Sequence, residues 1–313
     1  MVTTRRAAAA ERARAAALAF SKLSGDEQGV ILGQLRNALE PRLVMYFSST
    51  SKELRALLPP AARQQLKTDY EEATALCLNA GMRGCKELRE ATIVNWWGNG
   101  LSAADLATLA KLGSVLPALE RLILSEYSGS AGLDGVQQMA EGLVAGALPA
   151  VTHLSIVGMH VGDAGASALA AALDRGALPR LEILALRNAA ISDAALAALA
   201  PALRRRPALE QLWLDGNPLG DEGLAALVAP PPPPAGTPPP PAGGLKKLVT
   251  LNLDGIQISD AGCATLVAAL DSGALPALEV LHLEGIPASA AAQEAALAAL
   301  ARSIAAVLPV EEE

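Results

Sequence analysis

Aromatic side chains are nearly absent from this chain, with three Trp, three Tyr and two Phe among 313 residues, 3% of the total. Its core must therefore be aliphatic, and any aromatic residue on the surface marks a place of interest. Cysteine is equally scarce, and Cys77, Cys85 and Cys263 are widely spaced. They match no zinc pattern, an odd count builds no disulfide framework, and a reducing compartment, cytoplasm or nucleus, is expected. Positive charge is in deficit, with 25 Lys and Arg against 32 Asp and Glu and a formal charge of −7. Such a balance argues against nucleic-acid binding, which needs clustered cations to neutralise phosphates. No apolar run approaches the roughly 18 to 20 residues that span a bilayer, so a soluble chain without a membrane partner is expected.

Catalytic patterns are missing too. No glycine-rich loop leads into Lys and Ser/Thr, and no His-Glu-x-x-His pair occurs. His153 and Ser155 fall on one strand face without an orienting carboxylate or oxyanion donors, while His160 and His282 stand far apart. The expectation is a protein with no enzymatic activity, no cofactor and no metal.

What the chain does contain is a frame, Leu-x-x-Leu-x-Leu, that recurs six times at intervals of roughly thirty residues. It begins at Leu119, Val151, Leu181, Leu209, Leu248 and Leu278. After four of these frames a carboxylate (Asp163, Asp193, Asp221, Asp260) opens a run of Ala and Leu with helical spacing, which predicts that each Asp caps the helix it opens. Two positions on, the residue is always small (Gly165, Ala195, Gly223, Gly262), as expected if the helix lies close to the strand layer. Leu169, Leu199, Leu227 and Leu266 then face the core. Gly146, Gly176 and Gly273, each within Gly-Ala-Leu-Pro, are the predicted helix stops.

One unit is thus a strand, a turn and a helix that cannot bury its apolar face alone, so neighbours must stack into a solenoid. The pattern resembles a leucine-rich repeat protein of the ribonuclease-inhibitor type, over roughly residues 89–307. The resemblance implies an α/β solenoid, a horseshoe with a parallel inner sheet and outer helices, preceded by an α-helical N-terminal cap. For function it implies a concave protein-binding face. Ribonuclease inhibitors, activators of the Ran GTPase, innate immune receptors and ubiquitin-ligase substrate receptors share that property. The family usually has Asn three residues after the last strand leucine; here only Asn217 holds that place, and Tyr127, Met159, Ala189, Ile256 and Ile286 stand at the equivalents. Turns held by apolar packing, and a looser solenoid, are the expectation.

Outside the repeats, residues 1–25 form an arm whose Arg- and Ala-rich start suits either a solvent-facing helix or an organelle transit peptide. Residues 26–88 have helical periodicity: Leu32, Leu35 and Leu39 share a stripe that ends at Pro41, and a second segment runs from Phe47 through Lys52 and Leu54. This stretch is similar to an F-box, which implies docking on a Skp-type adaptor through Leu32, Leu35, Leu39, Pro41 and Leu54. The usual Leu-Pro opening and the aromatic after Lys52 are missing, and a helical cap on the solenoid explains the same residues. Trp96 and Trp97 are expected to seal the junction of cap and repeats. A Pro-rich insertion, residues 229–244, interrupts the fourth repeat as a tolerated extended loop or an SH3- or WW-type ligand. Residues 308–313 are an acidic tail.

In each frame the leucines should point inward and the residues between and after them outward. One outward row reads Ile123, Ser155, Ala185, Trp213, Asn252, His282, and the next reads Ser125, Val157, Arg187, Asp215, Asp254, Glu284. Trp213 with Arg187, Asp215, Asn252, Asp254, His282 and Glu284 has the composition of a binding patch for a protein partner, preferably basic. A monomeric interaction module, in the sharper version a ubiquitin-ligase substrate receptor, is the leading expectation. A Ran-type GTPase-activating protein and a ribonuclease-inhibitor-like regulator are the alternatives.

Overall fold

The computed structural model describes residues 22, 37–42, 45, 59–126, 129–228 and 245–307. Expectations for the N-terminal arm, the Pro-rich insertion, the acidic tail, Tyr127 and the adaptor candidates Leu32, Leu35 and Leu54 fall outside these residues. The chain divides into one unit of residues 1–78 with 82–89, and a second of 79–81 with 90–313.

The described part of the first unit is helical. Helix α1 (Pro60–Asn79) opens with proline at its first position, where a missing N–H costs nothing. It buries Leu66, Ala73, Leu76 and Cys77 on one face. Gln65 donates to Asp69 and Lys67 pairs with Glu71, both one turn apart on the solvent side. Helix α2 (Cys85–Glu90) buries Cys85 and Leu88, and the preceding Glu40 pairs with Arg89. Cys77 and Cys85 are free thiols, and burial, reinforced by Cys85, pushes the Cys77 thiol up to about 12.

The second unit alternates strands with helices. Its strands are β1 (Ile93–Trp97), β2 (Arg121–Ser125), β3 (His153–Val157), β4 (Ile183–Arg187), β5 (Gln211–Trp213), β6 (Thr250–Asn252) and β7 (Val280–His282). The helices between and after them are α3 (Ala103–Leu112), α4 (Gly135–Gly142), α5 (Gly162–Asp174), α6 (Asp193–Arg204), α7 (Asp221–Val228), α8 (Asp260–Asp271) and α9 (Ala290–Val307). The strands form one open parallel sheet in the order β1 to β7, each pair in register. The frame leucines make the core: Leu122, Leu154, Leu184, Leu212 and Leu251 share one register row and are buried. Val94 and Trp96 take the leucine places in β1, so Trp96 is buried while Trp97 is 56% exposed.

The carboxylates do not cap their own helices. Ser192 and Ser259 cap α6 and α8, accepting from Ala195 N and Ala261 N. Each Asp instead reaches the next repeat. Asp193 Oδ1 accepts from Gly220 N and Gly223 N at 2.6 and 3.0 Å, at the start of α7. Asp221 binds the backbone and hydroxyl of Ser259 at 2.8 and 2.6 Å, and Asp260 binds those of Ser289 at 2.6 and 3.0 Å. Asp163 accepts from the Ser192 hydroxyl at 2.5 Å. Sequence identifies a cap-forming residue type, but in a stacked array the nearest free N–H groups belong to the neighbour.

In two repeats this contact also accounts for the small residue two positions later. A Cβ on Gly223 would lie 2.7 Å from Asp193 Oδ1, and one on Gly262 would lie 2.3 Å from Asp221 Oδ1. The close approach is to the preceding repeat's carboxylate, rather than to the strand layer. At the other helix ends, Gly176 and Gly273 are left-handed, at φ +89° and +70°. There Ala177 N donates to Ala172 O with Gly176 N to Leu173 O, and Ala274 N to Ala269 O with Gly273 N to Leu270 O, the paired bonds of a Schellman stop. Helix α4 ends earlier than predicted, at Gly142, and Gly146 N bonds Gly176 O across the repeats.

The turns after the strands are not loose. Gly98, Gly158, Asn188, Gly216, Gly255 and Gly285 are all left-handed and form a column at the strand ends. Their N–H groups continue the ladder, as in Gly158 N to Arg187 O (2.9 Å), Asn188 N to Asp215 O (3.0 Å) and Gly216 N to Asp254 O (2.8 Å). Asn217 adds its amide: Oδ1 accepts from Ala189 N and Ile191 N, and Nδ2 donates to Leu186 O and Leu214 O. It thereby fixes the turn in which Asn188 and Ala190 carry φ of 49° and 55°.

Three outcomes follow for stability. Gly262→Ala should destabilise the fold in urea titrations but cost clearly less in an Asp221→Ala background, and additive costs would contradict the carboxylate contact. Asn217→Ala should cost about 2 to 4 kcal/mol, more than the ~1 kcal/mol of Asp221→Ala, because four buried backbone groups lose their partner. At pH 8 the thiols of Cys77 and Cys263, both raised by burial, should resist a disulfide reagent until urea unfolds the chain. Rapid labelling of the folded protein would be the contrary result.

Candidate protein-binding face

The parallel register sets three outward columns across the sheet. One holds Ile93, Arg121, His153, Ile183, Gln211, Thr250 and Val280. Burial and the neighbouring Arg121 cation lower the His153 pKa. The second holds Asn95, Ile123, Ser155, Ala185, Trp213, Asn252 and His282. The third begins with Trp97, Ser125, Val157 and Arg187 and continues to Asp215, Asp254 and Glu284.

Four of the seven predicted patch residues touch one another. The Arg187 guanidinium lies 5.5 Å from the Trp213 ring centre, and the His282 ring stacks on Trp213 at 6.3 Å with 28° between planes. Trp213 and His282 stand on strands separated by β6, about 10 Å apart. The rings therefore lean together over the intervening Asn252, which is buried. Arg187 Nε donates to both Asp215 oxygens at 2.9 Å. Trp213 Nε1 donates to Gln211 Oε1 at 3.3 Å, a partner that the outward columns supply but that the predicted patch left out. Guanidinium, indole and imidazole thus form a row of flat groups tied by Asp215 at the Arg187 end and by Gln211 at its centre, and Trp213 is only half-buried.

Asp254 Oδ1 accepts from Glu284 N at 2.6 Å, and Asn252 Oδ1 accepts from Asp254 N at 2.9 Å. Glu284 itself is exposed. The third column is less outward than predicted, for Ser125, Val157 and Asp215 are buried. For Asp215 the reason is its ion pair: Arg187 folds over it, leaving its side chain 12% exposed. Its charge is spent inside the protein, so the acidic row available to a partner reduces to Asp254 and Glu284.

Among the adaptor candidates within the described residues, Leu39 is buried and presents no surface. Pro41 lines an open apolar groove of about 370 Å³ with Met45, Pro60, Leu66 and Tyr70. Among the described residues no three His, Cys, Asp or Glu gather as for a metal ion, and no helix is long and apolar enough to cross a membrane.

A family model described as leucine-rich repeat matches residues 208–228, the segment that holds β5 and α7. It falls on one unit of a sheet whose other units repeat the same frame in register. The fold is that of a leucine-rich repeat solenoid. Among solved structures it is similar to the actin-binding site 2 of leiomodin-1, at 16% identity and a TM-score of 0.36, over 57% of this chain and 91% of that one. It is also similar to an internalin of Listeria monocytogenes, at 12% identity and a TM-score of 0.30, over 74% and 93%. Likenesses at these values assign no partner to this chain. No curated protein matches its sequence.

Proposed function

We propose that this chain is a non-enzymatic binding scaffold of the ribonuclease-inhibitor type, which holds a protein partner on the C-terminal half of its concave sheet face. The observation that carries the reading is the row Arg187, Trp213 and His282, an aromatic centre fixed by neighbours on both sides yet open to solvent. An aromatic anchor with its rotamer already fixed loses little entropy on binding and buries much area. Asp254 and Glu284 beside it favour a basic side chain on the partner. Free, buried cysteines support a reducing compartment, cytoplasm or nucleus. The first-unit residues that would recruit a ubiquitin ligase lie mostly outside those described, so the scaffold reading stands without them.

The test is partner recovery by the intact chain and by Trp213→Ala and His282→Ala, each first shown by circular dichroism to fold. A recovered protein would then be purified and titrated against all three. Loss of at least roughly tenfold in affinity with Trp213→Ala is the expected result. Equal affinity for all three would place the binding surface elsewhere.

A further inference from the structure

The ion pair between Arg187 and Asp215 is made through Nε alone, at 2.9 Å to each carboxylate oxygen. Among the described residues no acceptor meets Nη1 or Nη2, and the Arg187 side chain is 43% exposed. Its terminal fork, the edge suited to a two-pronged bond with a carboxylate, therefore faces the open side of the sheet. Asp215 and the Trp213 ring hold that fork in place, so little side-chain entropy remains to be lost on binding. Beside His282, in the column of Arg187, stand Asp254 after β6 and Glu284 after β7, of opposite sign and joined by the bond from Glu284 N to Asp254 Oδ1. From the β4 repeat to the β7 repeat the concave face thus carries a cation at one end, two flat rings, and two anions alongside the second ring.

We infer that the partner presents an extended segment in which an acidic and a basic side chain flank an apolar or aromatic one, the acid on the Arg187 fork and the base on Asp254 and Glu284. This deepens the concave-face reading above and rests on it. Strands lie about 4.8 Å apart, so the two charged positions are separated by two to three strand spacings, roughly 10 to 14 Å. An extended chain advances about 3.3 Å per residue, which sets the acid and the base three or four positions apart. A uniformly basic segment would bring a cation to the Arg187 fork and be repelled there.

The experiment selects random peptides about twelve residues long on the immobilised full chain and, in parallel, on Trp213→Ala, Arg187→Gln and Arg187→Glu. Circular dichroism and the urea midpoint verify that each variant is folded. Peptides enriched by the intact chain and lost on Trp213→Ala are expected to carry an acid and a base three or four positions apart in one consistent order. Arg187→Gln should weaken them roughly tenfold or more, and Arg187→Glu should enrich peptides with a base where the acid stood. Trp213-dependent peptides that lack the acid, or that Arg187→Glu enriches unchanged, would overturn this inference and leave the concave site standing. If no peptide depends on Trp213, the site itself is misplaced and the inference fails with it.

Discussion

The repeats are joined by a carboxylate that belongs to one unit and serves the next. Parallel strands and stacked leucines would allow neighbouring repeats to slide or splay, because burial is not directional. The hydrogen bonds that Asp193 accepts from Gly220 N and Gly223 N, and that Asp221 and Asp260 accept from the serines that follow, are directional. They fix where each helix begins relative to the one before it and satisfy N–H groups that a first turn always leaves free. Negative charge at a helix N-terminus is also favoured by the helix dipole.

The opposite helix ends carry the complementary arrangement. Asp174 and Asp271 each end a helix, an unfavourable place for an anion, and each is met by an arginine of the following unit, Arg205 at 2.5 Å and Arg302 at 3.0 Å. Arg175 donates to Ala140 O and Leu143 O at 3.2 and 3.1 Å, and Arg206 to Leu173 O, meeting helix-end carbonyls of the unit before. Helix position is thus set twice, which holds the strand register firm and with it the spacing of the outward columns. A row such as Arg187, Trp213 and His282 can form only where three separate repeats keep that register.

The leucine frame made the sheet, its order and its inward rows legible, because a period of two leaves only one face for the leucines. It also placed Trp213 and Arg187 on the outward face. Sequence could not assign the partner of Asp193 or Asp221, since a residue opening a helix is equally near its own turn and that of the stacked neighbour. The same ambiguity misassigned the reason for Gly223 and Gly262. Within the patch, the contact of Trp213 with His282 skips a strand and depends on two rings leaning over Asn252, which no spacing rule encodes. Nor could composition show that Asp215 is occupied by Arg187, so the face looked more acidic than it is.

The carboxylate chain runs one way, and this gives the solenoid unequal ends. A repeat removed from the C-terminal side takes its own serine with it and leaves the carboxylate contacts among the remaining repeats intact. A repeat removed from the N-terminal side takes away the acceptor that the serine or glycine at the next helix start had bonded. Growth by duplication is favoured for the same reason: a copied unit carries both the Asp that serves its successor and the Ser or Gly that meets its predecessor, so within the run from Asp163 to Ser289 it fits between neighbours without a new kind of contact having to arise.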